Sequence, residues 1–458
     1  MKNYINRHIS QVIERQQKRM STIIVTGPRR VGKTTMLKET LKSRGVNYIS
    51  LDNPAIYTSA METPSRFLQL NKAPIIIDEI QKASKLFEYI KDVVDENEKK
   101  GQYYLTGSHN FRLMQGITES LAGRAGVISM LGLSLREINN TNYFEPFMPT
   151  DEHFKAIIDK ISIPNEAMIK HKVLNDLYTG ENDLPRRTYL TDITDIVHRG
   201  SFPQLYDILH EKYSGDKRFM YEARTSYSPK EELQDWADFY ANYLQTYVEK
   251  DVRDITNIQD LSAFIKFIKA VAALSGEQLN YSNLAEICGM DVNTTKRWMS
   301  ILETSGLVYL LQPYSNNLNN RLIKTPKIYF LDTGLICYLS GWHTPQQLMD
   351  GARWGHIFET FVVSEILKSY YNNGIVYAPL YYYRDKERNE IDLIIENGST
   401  LYPVEIKTTS DPNKRMIKSF DLLKSIPNKK IGQGAIICLA KHLMPLTETV
   451  LIVPVDMV

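Results

Sequence analysis

The stretch Gly27–Thr35 (GPRRVGKTT) sets glycines, a lysine and a hydroxyl at the spacing GxxxxGK[ST]. Glycines at such positions let successive backbone N–H groups turn toward a phosphate with no Cβ in the way. Gly27, Pro28, Arg29, Arg30, Val31, Gly32, Lys33, Thr34 and Thr35 are therefore the candidate nucleotide cradle. Lys33 would reach the β- and γ-phosphates, and the Thr34 hydroxyl would face Mg²⁺. Three isoleucines then lead into Asp78 and Glu79. Asp78, at the tip of a buried strand, is placed to hold the Mg²⁺ shell, and Glu79 beside it to polarise an attacking water. LTGS (105–108) ends the next apolar run, where Thr106 or Ser108 could sense the γ-phosphate or the lytic water; capping of a turn is the competing role. Arg124, in SLAGR, is a candidate arginine finger for the site of a neighbouring copy, the alternative being a solvated arginine at a helix end.

A second constellation lies near the other end of the chain. Glu359 falls in a helical segment, Asp392 in the apolar run NEIDLII (389–395), and Glu405 and Lys407 in EIK (405–407). A side-chain period of two puts Glu405 and Lys407 on one face of their strand. One acid from a helix, one from a strand and an ExK pair resemble the PD-(D/E)XK nuclease arrangement. That resemblance implies that Glu359, Asp392 and Glu405 hold Mg²⁺ while Lys407 stabilises developing charge or positions the nucleophile. Ile391 stands where the arrangement usually has proline. A solvated sheet with a chance ExK is the alternative, and such folds can bind without cutting. Residues 411–430 add six Lys/Arg against two Asp, a balance suited to phosphate backbones.

Between these sites, residues 281–303 read as helix, turn and helix, with Gly289 in the turn and Asn293 as a cap for the second helix. Trp298, Ile301 and Leu302 share one face, leaving Thr295, Lys296 and Ser300 more exposed. With Leu307–Leu311 as a wing strand, this is a winged-helix pattern that could enter a DNA major groove or pack domains together.

The elements that must carry these residues follow from periodicity. Residues 3–18 read as a short helix. Apolar runs at 21–26, 74–78 and 102–106 alternate with helical patterns, as in a parallel sheet covered on both faces. Residues 150–255 are helical with polar loops. Beyond them come a helix near 354–371, strands at 380–384, 391–396 and 401–407, a helix at 413–425, and strands at 434–440 and 449–454. The expected domains are 1–145 (P-loop sheet), 146–255 (helical lid or linker), 256–325 (winged helix) and 326–458 (nuclease-like).

Composition bounds the function classes. With 458 residues, 43% hydrophobic and 24% charged, the chain has material for several cores. A net charge of +2 leaves nucleic-acid contact to local patches. Three separated cysteines exclude a disulfide framework, and the absence of any long apolar run points to a cytoplasmic protein without membrane partners.

GPRRVGKTT, IIIDEIQ, LTGS and SLAGR followed by LSLREI resemble the AAA+-type ATPases of many bacteria and archaea. In that family the ATPase is joined to a C-terminal half catalogued as a domain of unknown function, and GSFPQLY (200–206), TYVEKDV (246–252) and KTPKIYFLDTGL (324–335) are similar to its markers. The resemblance implies an α/β protein: a P-loop AAA+-like parallel-sheet domain, a helical lid, a winged helix and a C-terminal restriction-endonuclease-like domain. It also implies an ATP- and Mg²⁺-dependent hydrolase. The expected function is an ATP-driven switch, homo-oligomeric if Arg124 acts between copies, that couples ATP to DNA binding or metal-dependent cleavage. The other reading is a nucleotide-gated module whose inactive nuclease fold docks DNA or protein.

Overall fold

Thr22–Thr26 (β1) is apolar throughout because both of its faces are covered. Ile23 and Val25 turn toward Val12, Met36 and Leu37, while Ile24 turns the other way into a cluster with Ile77, Leu86 and Ile90. The computed structural model describes residues 4–107, 120–160, 193–206, 229–247, 260–315 and 325–458. In it, β1 lies within a five-stranded parallel sheet with β2 (Asn47–Ser50), β3 (Ile75–Asp78), β4 (Tyr103–Thr106) and β5 (Ala125–Ser129), in the order β2-β3-β4-β1-β5. Periodicity anticipated three of these strands and missed β2 and β5. The first helix is also shorter than expected, Ser10–Gln16 rather than 3–18.

The helical reading of the middle region holds for Asp151–Lys160, Ile193–Arg199 and Pro229–Thr246. The loops TGENDLPRRT and YSGDK, and TYVEKDV beyond Tyr247, lie outside the described residues. Helices Leu261–Ala273, Tyr281–Cys288 and Val292–Thr304 follow. Gly289 ends the second of these in the left-handed region (φ 72°), as its place in the turn requires. The cap of the third is Asp291, whose carboxylate accepts from the Asn293 and Thr294 amides, and not Asn293. Thr295 is buried rather than exposed, because its hydroxyl donates back to the Asp291 carbonyl.

β6 (Val308–Leu311) pairs antiparallel with β7 (Lys327–Phe330), placing Leu311 opposite Lys327. That pairing crosses the 325/326 boundary drawn from the sequence. The β6 side then runs into the last sheet: the Tyr314 amide donates to the Tyr382 carbonyl at 2.6 Å, and the Tyr382 amide to the Gln312 carbonyl at 3.1 Å.

The last sheet contains β8 (Leu380–Arg384), β9 (Glu390–Asn397), β10 (Thr400–Ile406), β11 (Lys430–Ile431), β12 (Gly434–Cys438), β13 (Met444–Thr447) and β14 (Val450–Pro454). Its order is β13-β14-β12-β10-β9-β8, with β11 beside β10. β8, β9 and β10 form an antiparallel meander, whereas β12 joins β10 in parallel. Helix Trp354–Tyr371 covers one face through Phe358, Phe361, Val362 and Ile366, and Lys414–Ser425, a 3-10 helix, covers the other through Phe420 and Leu423.

The two sheets share one core and several buried polar ties. Glu365 accepts from the Leu135 amide at 2.6 Å, and Lys368 donates to the Leu133 carbonyl at 3.0 Å while pairing with Glu365. Ser134 and Glu137 form a reciprocal cap, and Glu137 also receives Arg7 at 3.1 Å and the His8 amide at 2.7 Å. The segment leaving β5 is thereby fixed to both the N-terminal helix and helix Trp354–Tyr371. Among the described residues, no helix is long and apolar enough to cross a membrane.

Candidate functional site

The phosphate loop leaves β1 at the C-terminal edge of the parallel sheet, where a doubly covered sheet opens its ligand crevice. Gly27 sits at φ 147°, and a Cβ there would come within 2.1 Å of the Met130 carbonyl oxygen, so only glycine lets the loop pass β5. Gly32 is left-handed (φ 89°) and opens helix Lys33–Thr40. Arg30 is also left-handed (φ 61°), and its guanidinium stacks over the Phe239 ring. The Lys33 ammonium is buried and donates to the carbonyls of Gly27 and Pro28, both at 2.8 Å.

Asp78 is the meeting point of three hydroxyls. Thr34 donates to its Oδ1 at 2.8 Å, Thr106 donates to the same oxygen, and Tyr48 donates to Oδ2 at 3.1 Å. Sequence reasoning did not single out Tyr48; the only trace it leaves is an aromatic residue in the short strand β2. Glu79 adopts φ 59°, rare for a side chain with a Cβ, and its carboxylate accepts from Gln81. Strain of this kind, on the order of 1–3 kcal/mol, persists where surrounding structure enforces it. Here it separates the direction of Glu79 from that of Asp78.

Not every expected residue joins them. Ser108 lies outside the described residues. Arg124 immediately precedes β5, whose Ala125 pairs with Thr22 at the start of β1, so it stands at the opposite edge of the sheet from the phosphate loop. It is exposed there and paired with Asp95.

The loop is clasped from behind by the segments carrying the remaining motifs. Pro203 approaches Gly32, and the turn at Gly306 rests against Pro28. Asp332 organises this side: it accepts from the Ser201 amide at 2.6 Å, the Ser201 hydroxyl at 2.8 Å, the Tyr240 hydroxyl at 2.7 Å and the Leu335 amide at 2.7 Å. GSFPQLY and FLDTGL thus meet at one buried carboxylate, a hub that the sequence reading missed.

The C-terminal acids are also brought together. Asp392 Oδ2 accepts from the Ile406 amide at 2.8 Å and from Lys407 Nζ at 3.2 Å, and Lys407 also pairs with Glu405 Oε1 at 2.6 Å. Lys407 lies one residue beyond β10, yet its side chain folds back to Glu405 as the period of two requires. Burial first, then the Asp392 charge, push the Glu405 carboxyl up to about 8. Its Oε2 is buried without a hydrogen-bond partner. Burial opposes the Lys407 charge, but Asp392 and Glu405 hold its pKa above the ordinary lysine value.

Glu359 belongs to the same electrostatic cluster but has different partners. Its Oε1 receives Lys327 Nζ at 2.9 Å and the Tyr329 hydroxyl at 2.6 Å, and Lys327 pairs with Glu390 as well. Burial and the nearby Asp392 raise the Glu359 pKa. Lys327, Tyr329 and Glu390 were not anticipated, since isolated charges at the start of two strands give no pattern. Among the described residues, no group of three or more His, Cys, Asp or Glu side chains is gathered as a metal site. Ammonium groups stand between the carboxylates instead.

Comparison with known proteins supports the N-terminal region most directly. The family described as "AAA domain" matches residues 19–139, while two described as domains of unknown function, DUF8612 and DUF4143, match 219–346 and 354–458. Uncharacterized proteins of Mycobacterium tuberculosis and Mycobacterium bovis are each 24% identical over 447 residues, covering 97% of this chain and 82% of theirs. Among solved structures, a Walker-type ATPase of Pyrococcus abyssi aligns at 14% identity and TM-score 0.40, over 72% of this chain and 94% of that one. The RuvB Holliday junction branch migration motor of Thermotoga maritima aligns at 14% identity and TM-score 0.24, over 66% and 87%. Residues 19–139 thus match the AAA domain family and carry a phosphate loop on a parallel sheet, an arrangement that supports ATP binding and hydrolysis.

Proposed function

We propose that the chain is a Mg²⁺-dependent ATPase whose nucleotide site is the cradle Gly27–Thr35, with Glu79 as the group that polarises water. The observation that carries this reading is the Thr34–Asp78 hydrogen bond of 2.8 Å, which pairs the loop hydroxyl with the strand-tip carboxylate. Two hard oxygen donors side by side suit Mg²⁺, which would be held by Thr34 and Asp78 and would supply positive charge at the β- and γ-phosphates. Lys33 leaves its two carbonyls to meet the phosphates, and the turned-out Glu79 orients a water for attack. Arg124 supplies a cation to a neighbouring copy, which makes a homo-oligomer the active form. Lys33→Ala should lower phosphate release at least about 10³-fold. Glu79→Gln should retain nucleotide binding and lose about 10²–10⁴-fold in turnover. Unchanged turnover in both variants overturns the assignment.

A second reading concerns what the switch drives. The unpaired, buried Oε2 of Glu405 next to the Lys407 bridge favours metal-dependent phosphodiester chemistry at the C-terminal site over an inert docking fold. A carboxylate oxygen left unsatisfied in a buried site is costly unless a ligand completes it. Asp392, Glu405 and Glu359 would hold a divalent ion there, and Lys407 would act on the developing charge. Exposed Lys414, Arg415 and Lys418 on the neighbouring 3-10 helix would meet a DNA backbone. Cleavage of DNA that requires a divalent ion and is lost in Lys407→Ala supports this reading; binding without cleavage returns the domain to docking.

A further inference from the structure

Three residues of the phosphate loop, at every second position, are held from behind by elements outside residues 19–139. Pro28 meets the turn at Gly306, where a Cβ would stand 3.0 Å from the proline ring. The Arg30 guanidinium lies 5.5 Å over the Phe239 ring. Gly32 faces Pro203, which a Cβ there would meet at 3.7 Å. Each contact leads back to Asp332 within a few residues. The Leu307 carbonyl, beside Gly306, accepts from the Leu331 amide at 2.9 Å, and Leu331 precedes Asp332. Phe239 precedes Tyr240, whose hydroxyl donates to Asp332 Oδ1 at 2.7 Å. Pro203 follows Phe202 and Ser201, and Ser201 gives both its amide and its hydroxyl to Asp332 Oδ2. The Ser201 carbonyl also takes the Leu133 amide at 2.7 Å, so this segment is wedged between the exit of β5 and the loop.

We propose that Asp332 is a positioning residue of the nucleotide site, a buried carboxylate that holds the phosphate loop at three points in the shape that takes ATP. This rests on the nucleotide-site reading given above, and it gives the segment matched at 219–346 a task in ATP binding. A glycine-bearing loop left to itself samples many shapes, few of which aim successive N–H groups at one anion. Apparent affinity scales with the fraction of time that the competent shape is occupied. The loop also carries Arg30 in the left-handed region (φ 61°), a conformation that a residue with a Cβ leaves unless it is held. Phe239 provides that hold. Phe202 packs on Phe239 with 5.3 Å between ring centres, which ties the Arg30 contact to the Pro203 contact. Asp332 is buried and four donors meet its two oxygens, so it moves only with the elements that it joins.

The test is ATP affinity and steady-state turnover in the full chain. Asp332→Asn preserves shape, but an amide accepts at one oxygen only. Whichever way it turns, a backbone amide, that of Ser201 or of Leu335, then faces an NH₂ group. KM and the ATP dissociation constant should rise about tenfold or more, with kcat within about threefold of wild type, because Lys33, Asp78 and Glu79 are untouched. Tyr240→Phe cuts one of the three ties and should raise KM about threefold. Leu423→Ala, in the core between the last sheet and its 3-10 helix, should lower the melting temperature and leave KM unchanged. An affinity within about twofold of wild type for Asp332→Asn, while Lys33→Ala loses ATP binding, overturns the positioning role and leaves the nucleotide site standing. A fall in kcat alone, or an equal rise of KM in Leu423→Ala, also overturns it. If Lys33→Ala binds ATP as the wild type does, the nucleotide-site reading fails and this inference with it. A measurement on the wild type does not depend on the variants folding. Coupling is reciprocal, so saturating ADP should slow hydrogen exchange at the Ser201 and Leu335 amides. Exchange unchanged there, while the phosphate-loop amides gain protection, overturns the proposal.

Discussion

The phosphate loop and the C-terminal cluster both place a buried lysine near carboxylates, but they arrange the charges in opposite ways. Lys33 rests on backbone carbonyls, and the carboxylate nearby, Asp78, is occupied by hydroxyls. Lys327 and Lys407 are each bound by two carboxylates. The loop therefore sets its cation against backbone carbonyls beside the phosphate cradle, whereas the cluster sets Glu359, Glu390, Asp392 and Glu405 against Lys327, Lys407 and the Arg384 guanidinium. Arg124 lies at the opposite edge of the parallel sheet from the loop.

The sharpest way to break this comparison is to ask whether the loop needs a second copy. Arg124→Ala should reduce ATP turnover by about 10³–10⁵-fold if the arginine serves a neighbour. Mixing it with Glu79→Gln should restore part of the activity, because some interfaces then pair an intact arginine with an intact glutamate. Absence of recovery between subunits shown to exchange would leave Arg124 as the partner of Asp95 only.

A lysine-to-methionine pair compares the two charge arrangements through stability. Lys407→Met strands Asp392 and Glu405 and should cost about 1–3 kcal/mol. Lys33→Met removes a donor from two carbonyls that water can satisfy and should cost less than about 1 kcal/mol, while ATP binding is lost. Denaturant melts of both variants test this; equal costs would mean that the two lysines are held alike.

pH separates the scaffold from either site. Burial, then Arg136, pull His153 down to about 3, and burial pulls His198, stacked on Trp236, down to about 4. Both are neutral in the folded chain, while their unfolded counterparts take up a proton below about 6.5. Their contribution is therefore complete above pH 6.5 and is lost as pH falls toward 4, at about 1.4 kcal/mol per pH unit for each histidine. Denaturation midpoints at pH 7 and pH 5 should show the slope, and His198→Gln should flatten it. A stability unchanged between these values would contradict the neutral, buried state.

The smallest effect belongs to Tyr48. Tyr48→Phe removes one of three hydroxyls from Asp78 and should cost about 0.5–1.5 kcal/mol at the site. It should appear as a few-fold higher Mg²⁺ requirement for ATP turnover with an unchanged melt. A shift in the melt alone would make Tyr48 a packing residue.

What the sequence revealed and what it hid follow the same physics. The loop and the β3 tip were legible because phosphate chemistry demands contiguous residues at fixed spacing, and an apolar run of three isoleucines can only be a buried element. β2 was not, because NYIS is short and half exposed at the sheet edge. β5 was missed because a glycine interrupts its apolar pattern. In the C-terminal domain the meander β8-β9-β10 and the acids Asp392 and Glu405 were readable from alternation. Lys327 and Glu390 were not, because their pairing depends on a tertiary meeting of the hairpin with β9. Asn293 lost the capping role to Asp291 for a local reason: the cap needs an extended residue just ahead of the helix, and Asp291 occupies that position (φ −78°, ψ 157°).

The contact between Gly306 and Pro28 gives the molecule a mechanical property. A Cβ at residue 306 would stand 3.0 Å from the Pro28 ring, so the turn lies close beside the phosphate loop. From that turn β6 runs directly to Leu311, the residue facing Lys327 across the ladder. Two paired strands resist bending along their length far more than a loop does, and four residues of strand span roughly 13 Å. The hairpin therefore acts as a strut with one foot on the nucleotide loop and the other among the C-terminal acids. The nucleotide loop and the C-terminal acids are thus joined by a paired element as well as by the shared core.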